Sequence, residues 1–295
     1  MKLAAIDIGS NAVRLLINRI WKSDSGEIKV IKESLVRVPV RLGEVSFTTG
    51  HIGLQKEKKL IKTFKAFKNL MDIYEVEDFM ACATSAMRDA ENHKEVIKRI
   101  AEKTGVEIEV IDGKTEARLI LSTMSLQRFE LEGDYLYIDV GGGSTELSYI
   151  KNGKPQKSKS FKIGTVRLLK GKVKDKLWKE MTQWLKEEVS TLETDKLIAI
   201  GTGGNINKLF KLAGIIDTKV ISTAKLNETI DRVNALNYDE RIEQLGLKPD
   251  RADVIVHASR IYQHVLSEVD IKNMIVPKVG LSDGMILKLF RELSN

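Results

Sequence analysis

The opening of the chain sets an apolar run, LAAIDI, against a polar corner, GSN, and then returns to apolar residues in AVRLLI. This pattern predicts strands over 3–8 and 13–20 joined by a Gly-Ser-Asn turn, with further extended chain over 29–41 after the polar SDSGE turn. From 54 to 74 the period changes. Leu60, Ile61, Phe64, Phe67 and Met71 recur at helical spacing, so an amphipathic helix is expected there with its lysines outward. A buried strand over 78–83, a helix ending at Gly105 and a strand over 106–111 follow. In DGKTEARLILSTM, Glu116 falls near the start of another helix, whose apolar residues include Leu119, Ile120 and Met124.

The second half restarts the pattern. Strands are predicted over 135–140 and 146–151, a helix over 177–192, a strand in KLIAIGTGG from 196, and helices over 205–213 and 224–235. The segment RADVIVHASRIYQHVLSEV reads as a helix, 273–277 as a strand, and a last helix follows GLSDG. Strands alternating with helices in both halves imply a layered α/β fold, and the repeated outline implies two similar domains. Gly, Pro and Ser do not gather into a long linker, so the domains are expected to abut with a cleft between them.

A chain of 295 residues with 42% hydrophobic content can bury a substantial core and on length favours two domains. The single cysteine, Cys82, excludes an internal disulfide, and in FMACA it reads as a core residue. The N-terminus is too short and too early in acid to read as a signal peptide, and no apolar run reaches the ~20 residues of a membrane helix, so the expected location is cytoplasmic, with no membrane partner. The net charge of +7 favours polyanionic partners. No zinc spacing or basic-aromatic motif points to specific nucleic-acid recognition. The scattered histidines, including the His257/His264 pair, read as surface or packing residues.

Three strands end in glycine corners: IDIGSN, IDVGGGST and IAIGTGGN. Such turns leave backbone N–H groups unobstructed by Cβ and form anion-binding concavities, with phosphate the natural occupant. Gly9, Ser10 and Asn11, then Gly141, Gly142, Gly143, Ser144 and Thr145, then Gly201, Thr202, Gly203 and Gly204 are therefore candidate phosphate ligands. A carboxylate at such a corner would repel phosphate unless a divalent cation intervened. Asp139 and Asp7 are accordingly candidate ligands of Mg²⁺, or of another divalent cation. The alternative is that each aspartate caps its own turn.

The ordered set IDIGSNAVRLLI, ATSAMRDA, DGKTEARLI, IDVGGGSTEL, SFKIGTVRL, IGTGGN and RADVI resembles the exopolyphosphatase / guanosine pentaphosphate phosphohydrolase family of the actin-like ATPase superfamily, over essentially the whole chain. The resemblance implies two ribonuclease-H-like domains, each a mixed sheet with flanking helices, around an interdomain cleft. It sets them at 1–118 and 119–283, with a terminal helix of about 284–295 packing back on the first, and it looks like the short form without an added helical region. It implies hydrolysis of a terminal phosphate, with Glu116 activating water, Glu146 as a second acid that helps catalysis or holds metal, and Arg88 clamping phosphate; Arg167 in GTVR is placed similarly. The family pattern Glu-Glu-Ala-Arg departs here to Thr115-Glu116-Ala117-Arg118. The expected substrate is inorganic polyphosphate, with guanosine pentaphosphate as the alternative. A phosphotransferase sharing the fold and a non-catalytic alarmone or polyphosphate sensor are the competing classes, and oligomeric state, a homodimer included, stays open.

Overall fold

The computed structural model describes residues 1–124, 133–189, 197–216 and 218–294. It divides into two compact units, Met1–Phe129 with Val279–Asn295, and Glu130–Lys278.

Unit 1 is built on a five-stranded sheet of β1 (Lys2–Ile8), β2 (Val13–Lys22), β3 (Ile28–Val38), β4 (Asp78–Ala83) and β5 (Glu109–Val110), in the order β3-β2-β1-β4-β5. β1 pairs antiparallel with β2 and parallel with β4. Central position explains its composition, since a strand covered on both faces reads as a near-continuous apolar run; Leu3 to Ile8 is buried throughout and apolar except at Asp7, while Lys2 at its start is only partly buried. Its helices are α1 (Gly43–Thr49), α2 (Leu54–Ile73), α3 (Ser85–Arg88), α4 (His93–Thr104) and α5 (Gly113–Ser122). α2 buries Leu60, Ile61, Phe64, Phe67 and Met71, the stripe that its period predicts. Of the strand expected over 106–111, only Glu109–Val110 pairs in the sheet.

The expected boundary between 118 and 119 would cut α5 in two. The whole helix stays in unit 1, because Leu119 and Ile120 are buried in that unit's interior. The C-terminal helix, Leu281–Leu293, begins before the expected position 284 and packs against α5, β1, β2 and β4. It buries Leu281, Met285, Ile286, Leu287, Leu289 and Phe290, each contributing about 1.5–3 kcal/mol of transfer free energy. Gly284 permits the contact: a Cβ there would lie 2.1 Å from the Leu119 carbonyl oxygen and 2.5 Å from its carbon. Gly284→Ala must therefore push the C-terminal helix off α5. A loss of about 1–3 kcal/mol is expected, read as a lower denaturant midpoint, and an unchanged midpoint would show that the helices separate without cost.

Unit 2 repeats the plan with β6 (Asp134–Val140), β7 (Thr145–Lys151), β8 (Lys154–Phe161), β9 (Ile198–Thr202), β10 (Val220–Ser222) and β11 (Asn273–Ile275). Its order, β10-β11-β9-β6-β7-β8, contains the unit 1 arrangement read from β8 to β11, with β10 added at the edge. The helices are α6 (Thr165–Leu169), α7 (Asp175–Glu188), α8 (Gly204–Leu212), α9 (Thr223–Asn234), α10 (Tyr238–Glu243), α11 (Pro249–Ala252) and α12 (Ile255–Glu268). The expected helix end at 192 and strand start at 196 lie outside the described residues. β8 carries no hydrophobic signal: KPQKSKS is exposed throughout and only Phe161 is buried. It exists because its backbone pairs with β7, and Lys and Pro suit a strand at the edge of a sheet. Among the described residues no helix is long and apolar enough to cross a membrane.

Candidate active site

Asp7 closes β1, directly opposite Arg14 on β2 and Cys82 on β4. Arg14 in turn faces Arg37 on β3, so one row crosses four strands as Cys82–Asp7–Arg14–Arg37. Arg14 Nη1 donates to Asp7 Oδ2 at 2.5 Å, and Asp7 is buried while Arg14 is partly open to solvent. Asp7 thus has a cationic partner within its own unit. Burial pushes the Cys82 thiol up to about 12, with smaller contributions from Glu109, Asp7 and Glu116. The thiol is an inert core group, and its surroundings bring Asp7 and Glu116 into one neighbourhood of unit 1.

Glu116 is half-buried in the first turn of α5. Asp112 caps that helix, its Oδ1 accepting from Thr115 N at 2.8 Å. The amide and hydroxyl of Thr115 hold the Asp112 carboxyl below its usual range. Thr115 therefore has local work at the position where the family pattern carries glutamate. Arg88 Nη1 donates to the Ile111 carbonyl at 2.6 Å, next to that cap. In this structure Arg88 braces the turn that presents Glu116. The turn after β1 closes through Gly9 N to Ala12 O at 3.1 Å, and Ser10 Oγ bonds Ser85 Oγ at 2.9 Å. The Asn11 carbonyl accepts from Arg41 N at 2.9 Å.

In unit 2 the equivalent row reads Thr202–Asp139–Glu146–Ser160, on β9, β6, β7 and β8. Asp139 and Glu146 are direct cross-strand partners, hence on one face of the sheet, and are only 7% and 3% exposed. Ser160 Oγ donates to Glu146 Oε1 at 2.9 Å and fixes that carboxylate. Ser160 opens the SFKIGTVRL motif, but its pairing with Glu146 could not be read from the sequence, since the strand that carries it has no hydrophobic pattern.

The glycine corner after β6 closes through Gly141 N to Ser144 O at 2.9 Å, the same turn as at Gly9. The carbonyls of Gly141 and Gly142 accept from the amides of Thr165 and Val166 at 3.0 and 2.8 Å, and Arg167 Nε donates to Gly143 O at 2.6 Å. Those carbonyls face α6. Among the described residues, nothing accepts a hydrogen bond from the amides of Gly142 and Gly143. Gly164 makes this packing possible: a Cβ there would lie 2.4, 2.5 and 2.6 Å from backbone atoms of Gly143, Ser144 and Gly142. Its signal was the glycine of SFKIGTVRL. Buried Ser144 lies in this corner, while the Thr145 hydroxyl donates to Ile163 O at 2.6 Å.

The third corner separates into packing and site. Gly201 lies inside β9, where a Cβ would meet Met274 Sδ at 2.5 Å, so its small size serves the core. Thr202 Oγ1 bonds the buried Tyr137 hydroxyl at 2.8 Å, and its carbonyl accepts from Tyr262 at 2.8 Å; both place Thr202 in the interior. Gly203 has φ +99, and its missing Cβ would sit 3.0 Å from Asp139 Oδ1. It ends β9 beside that carboxylate and, with Gly204, opens α8. The positive end of this helix suits an anion at that point. Of the distant histidines, His264 Nε2 lies 3.0 Å from Thr182 Oγ1 and its ring meets Trp178 edge-on, a packing role.

The sequence profile of the Ppx/GppA phosphatase family matches residues 19–293. The chain belongs to that family. Exopolyphosphatase 1 of Mycobacterium tuberculosis is 27% identical, the alignment covering 98% of this chain and 88% of that protein. A crystal structure of an exopolyphosphatase from Cytophaga hutchinsonii superposes with a TM-score of 0.83 at 25% identity, covering 99% of this chain and 98% of that one. The Aquifex aeolicus family member gives a TM-score of 0.75 at 27% identity over 99% and 98% of the two chains. The two-domain α/β fold is that of this family. Among the described residues no three acids, histidines or cysteines gather as a metal cage; Asp139 and Glu146 stand as a pair. A pair suffices for Mg²⁺, which keeps waters and takes phosphate oxygens.

Proposed function

We propose that the chain is an exopolyphosphatase, releasing the terminal phosphate of inorganic polyphosphate to water, with Mg²⁺ held by Asp139 and Glu146. The carrying observation is the buried, directly opposed carboxylate pair. Two charges about 5 Å apart at an effective dielectric of about 20 repel by roughly 3 kcal/mol, an arrangement that a divalent cation converts from cost to gain. When bound, the cation would neutralise phosphate charge as the anhydride bond breaks. The name and near-complete coverage of the mycobacterial relative support polyphosphate as substrate.

The remaining roles fall to residues of the chain. Glu116 takes a proton from water as the water's oxygen attacks the terminal phosphorus; the phosphorus–oxygen bond to the next phosphate breaks, and the chain leaves one unit shorter. Gly142, Gly143 and the Gly203–Gly204 start of α8 offer backbone amides to phosphate oxygens. Arg88 and Asp112 set the orientation of the helix carrying Glu116, and Ser160 orients Glu146.

Phosphate release from long-chain polyphosphate with Mg²⁺, lost on chelation, is the test. Release from guanosine pentaphosphate and none from polyphosphate would move the activity to the other substrate of this family. The two aspartates should also separate: Asp139→Asn is expected to raise the Mg²⁺ needed for half-maximal rate by about 10–100-fold, while Asp7→Asn leaves it unchanged. Equal shifts would make Asp7 a metal ligand.

A further inference from the structure

We propose that α2 carries a docking stripe for the distal part of a long polyphosphate chain, formed by Lys58, Lys62 and Lys65. The inference rests on the exopolyphosphatase reading for the identity of the chain, and on the surface of unit 1 for its place. These lysines are exposed and stand at i, i+4 and i+7, so they share one face of the helix. Like charges at this spacing oppose the helix that carries them. No acid lies three or four residues from any of the three. Glu57, the adjacent acid, is buried and grips Arg99 through two bonds of 2.8 Å. The stripe is a row of positive charge built without its counter-charge.

Two other lysines of the same helix tie it to the segment that leads to the Gly9 turn. Lys56 Nζ donates to Val40 O at 2.8 Å and Lys59 Nζ to Pro39 O at 2.7 Å. The same segment continues to Arg41 and Gly43, whose amides bond the carbonyls of Asn11 at 2.9 Å and Ser10 at 2.8 Å. One short segment thus links α2 to the Gly9 turn.

The chemistry selects the partner. All the cations of α2 are lysines, compact charges without the planar fork that fixes a phosphate in one pose. They suit a flexible polyanion that must move along the surface as it shortens. The aromatics of α2, Phe64 and Phe67, are buried, so no platform for stacked bases accompanies the charge. The helix's core-facing apolar residues are buried, and its exposed ones, Leu54 and Ile73, stand singly at its two ends, so no continuous apolar face accompanies the stripe to enter a bilayer.

The test replaces the three lysines together, K58Q/K62Q/K65Q, and measures steady-state kinetics and direct binding of fluorescently labelled long-chain polyphosphate. The KM for long chains should rise about tenfold and binding weaken by a similar factor, with kcat and the KM for tripolyphosphate unchanged and a melting temperature no lower than that of wild type. The K58R/K62R/K65R variant should behave as wild type. Weakening should be largest at low salt, where screening is least. Unchanged long-chain KM and binding would overturn the proposal, as would an equal loss on tripolyphosphate. Loss of binding only to single-stranded nucleic acid or anionic vesicles would overturn it in favour of those partners. If the wild-type protein binds polyphosphate through these lysines but does not hydrolyse it, the stripe stands and the catalytic reading fails.

Discussion

Glu116→Gln is expected to slow phosphate release by about 10²–10⁴-fold while polyphosphate binding survives. The substitution keeps size and shape, so the start of α5 should retain its Asp112 cap and the Arg88 brace. What it removes is the ability to accept a proton from water. The amides and carboxylates proposed to hold phosphate and Mg²⁺ are untouched, so the loss should appear in kcat and not in the dissociation constant. Single-turnover rates and equilibrium binding on the same preparation read the two quantities separately. Equal rates for wild type and variant would remove Glu116 from the chemistry, and a matched loss of binding would make it a structural residue.

Gly164→Ala should have the second largest effect, although it removes no functional group. The added methyl would lie within 2.6 Å of three backbone atoms in the Gly142–Ser144 corner, and backbone cannot swing aside as a flexible side chain can. Either α6 moves or the glycine corner does. Overpacking of this kind costs about 1–3 kcal/mol, and a displacement near 1 Å at a phosphate site lowers turnover by about 10²-fold. The contrast with Gly201→Ala is informative, since its nearest obstacle is the Met274 side chain, whose thioether can rotate. Activity that survives in Gly164→Ala would show that the corner tolerates displacement and does not position phosphate.

The fold was legible wherever burial writes a period into the chain. β1, β6 and α2 are covered elements, and LAAIDI, YLYIDV and the Leu60–Phe64–Phe67–Met71 spacing announce them. β8 left no such trace, because an exposed edge strand is specified by its neighbour's backbone; with it went Ser160. The glycine corners were visible as composition, but composition could not distinguish a glycine that yields space to a ligand from one that yields space to the protein. Gly201 and Gly164 belong to the second kind, and only the distances to Met274 and to the Gly142–Ser144 backbone show it. Arg14 was hidden for a similar reason: its pairing with Asp7 follows from strand register, which a linear sequence does not display.

The matching rows Cys82–Asp7–Arg14–Arg37 and Thr202–Asp139–Glu146–Ser160 occupy the same places in two copies of one strand plan. At the second strand, one copy has an arginine where the other has a glutamate, and the backbone around them is laid out alike. A doubled scaffold can therefore divide labour through a single codon: one half sets a cation across from its acid, the other sets a second acid there. Catalytic specialisation in such a molecule needs no new architecture, only a change of sign.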